Sequence, residues 1–250
     1  MTATSRFEIF IFFVLTIVAE ILGTLGGFGS SLFFVPISQF FFDFQTALAL
    51  TGLLHVFSNT AKVALFLKTI DWKVVWWLGG SSIVLAIAGA YLTKFVLLDF
   101  AGLALGVFLI VFSTFLFFNP EFSIAPTAKN SVLSGGVAGF LAGFIGTGGA
   151  VRGLALASFN LEKSFFVGTS AAIDFGVDLS RTFIYYENNY FSNIRVLYVP
   201  LLLIAAAVGS YFGKRILDKI DQAKFKKITM GLIFLTGVVL VVQYARIFFG

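Results

Sequence analysis

Four stretches of this chain carry no charged side chain: 74–93, 100–120, 196–213 and 228–245. A helix needs roughly 18 or more apolar residues to cross a bilayer, and each stretch is that long. Only 12% of the 250 residues are charged, half the roughly 25% of a soluble domain, so too little polar surface remains to coat a water-soluble globule. With 59% hydrophobic residues and 34 phenylalanines suited to lipid-facing helices, the sequence predicts an all-α polytopic membrane protein. The N-terminal MTATSRFEIFIFFVLTIVAE has the outline of a signal peptide. Its basic region is thin and it runs into glycine without a cleavage site, so it is expected to stay as the first membrane segment.

Eight hydrophobic segments lie along the chain, at about 7–42, 45–67, 72–94, 98–118, 131–158, 164–186, 194–213 and 225–249. The first and fifth are long and broken by glycine, as GTLGGFGSS over 23–31 and GFIGTGG over 143–149. Glycine frees the backbone and leaves it uncovered. In hydrocarbon such backbone is tolerated only when buried in protein or lining a wet cavity.

One gapless shift of 119 residues superposes the two breaks and the polar helices beyond them. It puts Leu22 on Leu141, Gly27 on Gly146 and Gly29 on Gly148, then Phe40 on Phe159 and Asp43 on Glu162. Further on it puts Thr51 on Ser170, His55 on Asp174, Asn59 on Asp178 and Lys62 on Arg181. The expected organisation is a first transmembrane repeat over 1–120, a linker over 121–130 and a second repeat over 131–250. Pro120 and Pro126 mark the junction.

Charge sets the topology. Six of the 17 basic residues fall together, Lys214, Arg215, Lys219, Lys224, Lys226 and Lys227, which reads as a cytoplasmic loop. This cluster, and not nucleic-acid binding, accounts for much of the net charge of +5. With Lys62, Arg152 and Arg181 left out as intramembrane, the other basic residues divide eight inside and six outside if each broken segment crosses the membrane once. If each is instead a hairpin returning to its own side, Lys68, Lys73, Lys129, Lys163 and the cluster lie inside, leaving Arg6, Lys94, Arg195 and Arg246 outside. Ten against four obeys the positive-inside rule better. Each repeat is then a glycine-broken helical hairpin plus three transmembrane helices, an odd number, so the repeats are inverted. Inverted repeats with broken helices recur in secondary transporters.

Candidate chemistry lies on the helix after each break. Thr51, His55, Asn59 and Lys62 are spaced i, i+4, i+8, i+11, and Ser170, Asp174, Asp178 and Arg181 match them. Such spacing shares one helix face. A charge at the bilayer centre costs about 2.5–3.5 kcal/mol on the insertion scale, so two matched stripes point to an internal wet path. The alternative is that they only hold helices together. The breaks add free N–H groups at helix starts, which favour an anion. Gly27, Gly29, Ser30, Ser31, Gly146, Thr147, Gly148 and Gly149 supply them, with Arg152 just beyond; close helix packing is the competing reading. His55, the single histidine, is suited to relay protons near neutral pH, together with Asp174. Glu20 is a proton acceptor, or else caps a pore mouth or pairs with a base. Asp178 could also pair with Arg181. Trp72, Trp76 and Trp77 form an interfacial belt. Without cysteine, disulfides, thiolate chemistry and cysteine-bound metals are excluded; no metal or cofactor is expected.

The two-half layout, the motifs GTLGGFGSSLFFVPISQF and GFIGTGGAVRGLALASF, and the polar helices ending in SNTAK and GVDLSR resemble the sulfite exporter TauE/SafE family, also called the toluene sulfonate uptake permease family. The resemblance covers nearly the whole chain. Pro36 fits the family's apolar run after the first break; in the second motif Ala155 replaces the proline and Arg152 enters a usually apolar run. It implies a carrier of small sulfur-containing anions, such as sulfite, thiosulfate, sulfoacetate and other organosulfonates. The expected function is a secondary transporter, working as an exporter, in a cell membrane and specifically a bacterial plasma membrane. Its partners would be that anion and membrane lipid, with a homodimer as an open assembly state and no nucleic acid. An anion channel would use the same stripes. An intramembrane enzyme would need a set such as Ser30, His55 and Asp174, and a purely structural protein would not need matched intramembrane charges.

Overall fold

The structure is a computed structural model describing residues 6–92, 98–145, 148–192 and 194–249, with the backbone alone at 44, 89–92, 98–102, 142–145, 148, 184 and 244–249. Among the described residues every regular element is helical: α1 (Arg6–Gly26), α2 (Ser31–Gln39), α3 (Phe44–Phe66) with a 3-10 turn (Leu67–Thr69), α4 (Trp72–Val74) running through a π turn (Val75–Gly79) into α5 (Gly80–Leu92), α6 (Leu98–Phe118), α7 (Ala128–Ile145), α8 (Gly148–Ser158), α9 (Lys163–Glu187), α10 (Tyr198–Lys219) and α11 (Gln222–Phe249). Among the described residues four helices are long and apolar enough to cross a membrane, over Arg6–Gly26, Gln45–Thr69, Tyr198–Lys219 and Gln222–Gln243, and Trp72–Ala88 and Leu103–Phe118 are shorter apolar helices. Large apolar side chains such as Phe108, Phe115, Phe118, Leu203, Phe212 and Val242 are exposed. On an α-helix without polar neighbours these suit lipid.

The 119-residue offset is repeated in the helix boundaries. α1 ends at Gly26 and α7 at Ile145; α2 ends at Gln39 and α8 at Ser158; α3 begins at Phe44 and α9 at Lys163. α1 and α7, and α2 and α8, therefore end at equivalent points. The third helix of each set is capped alike. Asp43 accepts from the Thr46 N–H at 2.9 Å, and Glu162 accepts from the Ser164 N–H at 3.1 Å. The Thr46 N–H holds the Asp43 carboxyl below its ordinary range. This cap is therefore intact at neutral pH and is lost only as pH falls through that lowered value.

The chain divides into two compact units, each drawing on both sequence halves: 1–68 with 171–220, and 69–170 with 221–250. In the first, α1 packs on α10 and α10 on α3. A Cβ at Gly209 would lie 2.4 Å from Glu20 Cβ, and one at Gly213 would lie 2.5 Å from Thr24 Cβ, so small residues let α10 press onto α1. α2 turns back along α1, and Phe41 and Phe42 meet the ring of Phe12 at 5.3 Å. Phe12, Phe34, Leu50, Leu54, Tyr198 and Leu202 form the core beside this turn.

In the second unit α7 packs on α5 and α6 on α11. Gly135 and Gly139 lie against the backbone of Leu78 and Ser82, and Ser82 Oγ donates to the Gly135 carbonyl at 2.8 Å. Gly106 and Gly237 face one another. The three tryptophans at the α4 start and in the π turn are exposed, as an interfacial belt requires. The basic cluster differs from its reading as a loop. Lys214, Arg215 and Lys219 end α10, while Lys224, Lys226 and Lys227 open α11. Cations suit a helix C-terminus, Lys214 pairs with Asp218 at 2.9 Å, and Asp221 accepts from the Lys224 N–H at 2.7 Å. These contacts let the helices extend into the cluster.

Candidate functional site

The first break brings two helices and a turn onto one carboxylate. Gly27 and Gly29 take φ of 78° and 99°, which L side chains rarely adopt, and these end α1 sharply. At Gly23 a Cβ would fall 2.6 Å from the backbone of Ser30. Its absence lets Ser30 lie against α1, one turn after Glu20. Ser30 Oγ donates to Glu20 Oε1. From α3, Lys62 Nζ donates to Glu20 Oε2 at 3.1 Å and lies 3.5 Å from Ser58 Oγ.

The contacts run on from Ser30 through α3 to α9. His55 Nε2 lies 3.2 Å from Ser30 Oγ, and His55 Nδ1 lies 3.3 Å from Asp178 Oδ2. Asn59 Nδ2 donates to the same oxygen at 2.9 Å. Arg181 Nη2 donates to Asp178 Oδ1. Glu20 and Ser30 are wholly buried and His55, Asn59, Lys62 and Asp178 nearly so; the Arg181 side chain is 36% exposed. All these groups lie in the first unit. A hydroxyl carries one proton. With that proton donated to Glu20, His55 satisfies both neighbours only with hydrogen on both ring nitrogens.

The stripe residues separate by role. Thr51 is buried, but its hydroxyl donates to the Ala47 carbonyl at 2.7 Å, back onto its own helix. Asp174 is buried one turn before Asp178. Gly148, Gly149, Arg152 and Ser170 belong to the second unit, where Arg152 and Ser170 are buried. Gly146 and Thr147 lie outside the described residues. A Ser–His–Asp chain does form, but it ends on Asp178, not Asp174, and Ser30 donates to Glu20 rather than to the histidine. Ser58, Gly209 and Ser210 escaped the sequence reading. Ser210 Oγ donates to the Ser58 carbonyl at 3.5 Å. The small pair Gly209–Ser210 within an apolar span was the available signal.

The family model of the sulfite exporter TauE/SafE matches residues 12–240, which spans both breaks and the whole buried network. The chain belongs to the TauE/SafE family. Membership makes it a membrane transporter of sulfur-containing anions and not an enzyme. No curated protein and no solved structure matches the chain significantly.

Gly29 offers a direct test of the turn. Its Cβ would stand 3.4 Å from His55 Cε1 at a φ of 99°. Gly29→Ala is expected to cost about 1 kcal/mol or more in stability and to lower anion flux by displacing His55. Thermal unfolding in detergent and flux in proteoliposomes measure the two effects; unchanged values in both would remove Gly29 from the site.

Proposed function

We propose that this TauE/SafE protein is a proton-coupled secondary transporter that exports a small sulfur-containing anion, sulfite or an organosulfonate of the sulfoacetate kind. The observation that carries the reading is the closed relay from Lys62 through Glu20, Ser30 and His55 to Asp178 and Arg181. Intramembrane ionisable groups mark ion and proton paths. A relay this deeply buried suits a carrier that is occluded between substrate states better than an open pore.

The proposed scaffold is two inverted repeats, 1–120 and 131–250, joined by 121–130, each a glycine-broken hairpin plus three crossings. Repeated helix boundaries support two halves, and the α1–α2 turn supports the hairpin. Asn59 and Asp178 are equivalent positions, 119 apart, yet they hydrogen-bond. Equivalent atoms touch only near the axis relating two repeats, which favours a site where α3 of one half meets α9 of the other. Gly27, Gly29, Ser30, Asn59, Lys62, Asp178 and Arg181 would hold the anion there, with Glu20, His55 and Asp174 handling protons. Gly146, Thr147, Gly148, Gly149, Arg152 and Ser170 are proposed as the equivalent anion-binding set of the second repeat, and Thr51 as part of the α3 stripe. Alternating access would proceed by rocking one repeat against the other, in a bacterial plasma membrane.

The test is flux of sulfite, thiosulfate, sulfoacetate and taurine in proteoliposomes, with thermal shift on purified protein. Saturable flux of at least one anion, accompanied by a pH change, is the expected result. Unsaturating voltage-driven current would make the protein a channel, and silence across the panel would remove the sulfur-anion substrate.

A further inference from the structure

The proposed transport reading leaves one feature of the relay without a use: the buried donors of the first break already hold an anion. Glu20 presents a carboxylate to Ser30 Oγ and to Lys62 Nζ, the latter at 3.1 Å. Ser30 stands at the N-cap of α2 yet makes no capping bond with its side chain. Its hydroxyl is turned to Glu20 instead. The first N–H groups of α2, at Ser31 and Leu32, have no partner within the helix by position, and the helix dipole adds positive potential there. A hydroxyl, an ammonium and a helix start are the donors that a sulfite or sulfonate oxygen would need.

We propose that Glu20 is a tethered occupant of the anion subsite, and that the transported oxyanion replaces it when the carboxylate takes up a proton. This rests on the transport reading above and adds the coupling. The hydrogen-bond chain supplies a route for the proton. In one arrangement His55 carries hydrogen on both nitrogens, Ser30 donates to Glu20, and Glu20 is an anion bound to Lys62. In the other, His55 Nε2–H gives its proton to Ser30 Oγ as Ser30 gives its own to Glu20 Oε1. His55 is then neutral, still donating from Nδ1 to Asp178, and Glu20 is a neutral acid donating to Ser30. The proton count is unchanged. Lys62 keeps its charge, loses its counterion, and is free to pair with a sulfur oxyanion.

Three elements present groups to Glu20. α3 presents His55 and Lys62, and α2 presents Ser30. α10 presents Gly209, whose Cβ would sit 2.4 Å from Glu20 Cβ. Asp178 and Arg181 on α9 reach Glu20 through His55. His55 then takes a proton from solution in place of the one it passed on, so neutral Glu20 with a bound anion differs from ionised Glu20 without one by one proton and one anion. The carrier therefore moves the two together, and for a monoanion the step is electroneutral.

The experiment measures binding of thiosulfate and of sulfoacetate to purified protein between pH 6 and 8.5, a range in which both keep their charge. In the wild type the affinity is expected to fall as pH rises, by up to about tenfold per unit for one linked proton. Glu20→Gln mimics the protonated acid, so its affinity is expected to be independent of pH and at least tenfold higher than wild type at pH 8.5. Should that variant fail to fold, proton uptake by the wild type in weak buffer at pH 8.5 takes its place, with about one proton expected per anion bound. A pH dependence surviving in Glu20→Gln, or anion binding without proton uptake, overturns the tethered-anion assignment while leaving the transport reading intact. Absence of binding by both anions in both proteins overturns the assignment through loss of its substrate.

Discussion

Lys62→Met is expected to unfold more readily than wild type by about 3–5 kcal/mol, the range seen when one partner of a buried ion pair is removed. Glu20 has no exposed surface, and Lys62 is its only cationic contact among the described residues. The methionine fills the volume of the lysine stem but offers no charge. Ser30 Oγ remains on Oε1, and one hydroxyl does not compensate a carboxylate removed from water. The carboxylate must then protonate or rearrange, and both take free energy from the fold. Lys62→Met combined with Glu20→Gln is expected to regain most of the loss, because no isolated charge remains. Thermal and denaturant unfolding in detergent give the three values needed for the coupling. Wild-type stability in Lys62→Met alone would mean that Glu20 is not held as an anion, and the pair would lose its structural role. The double variant also separates stability from transport, since it is expected to fold and yet move no anion.

Which parts of this site could be read in the sequence depends on the cost of polarity in lipid. Four polar side chains at helical spacing on an otherwise apolar segment stand out because each is expensive there. Thr51, His55, Asn59 and Lys62 were therefore visible, as were their counterparts on α9. The glycine breaks were visible because backbone without a side chain needs shelter, and the single offset tied both to the same structural point. Pairing was not visible. The shift sets His55 against Asp174, whereas the ring bonds Asp178, one turn along. Equivalence under a repeat says which positions share an environment, and contact depends on where the helices cross. Lys62 finds Glu20 from 42 residues away, a separation no local pattern encodes. The π turn over Val75–Gly79 has no glycine or proline before its last residue, so nothing in the local sequence marks it. The compact units likewise join 1–68 with 171–220 through packing that only the fold creates, such as α10 lying on α1 at Gly209.

Asp178→Asn is expected to lower transport strongly while costing less stability than Lys62→Met. Asp178 holds His55, Asn59 and Arg181 at once. The amide keeps the shape and can still accept from one neighbour, but it carries no charge to balance a cationic His55. The histidine then lacks the anion that lets Nε2–H face Ser30, so the relay to Glu20 loses its donor. A buried charge-assisted hydrogen bond is worth about 1.5–3 kcal/mol, which corresponds to a loss of roughly 10- to 150-fold in flux. Stability suffers less because the orphaned cation has somewhere to go. The Arg181 side chain is already 36% exposed and can turn its charge outward, unlike Glu20. Flux in proteoliposomes and thermal unfolding on the same preparation decide the matter. Wild-type flux in Asp178→Asn would detach the histidine from transport. A loss of stability as large as that of Lys62→Met would make Asp178 a structural anchor, with reduced flux as its by-product. The two ion pairs are thus expected to divide the work: Lys62 and Glu20 keep the buried turn stable and close the anion subsite, while Asp178 and Arg181 set the state of the histidine that opens it.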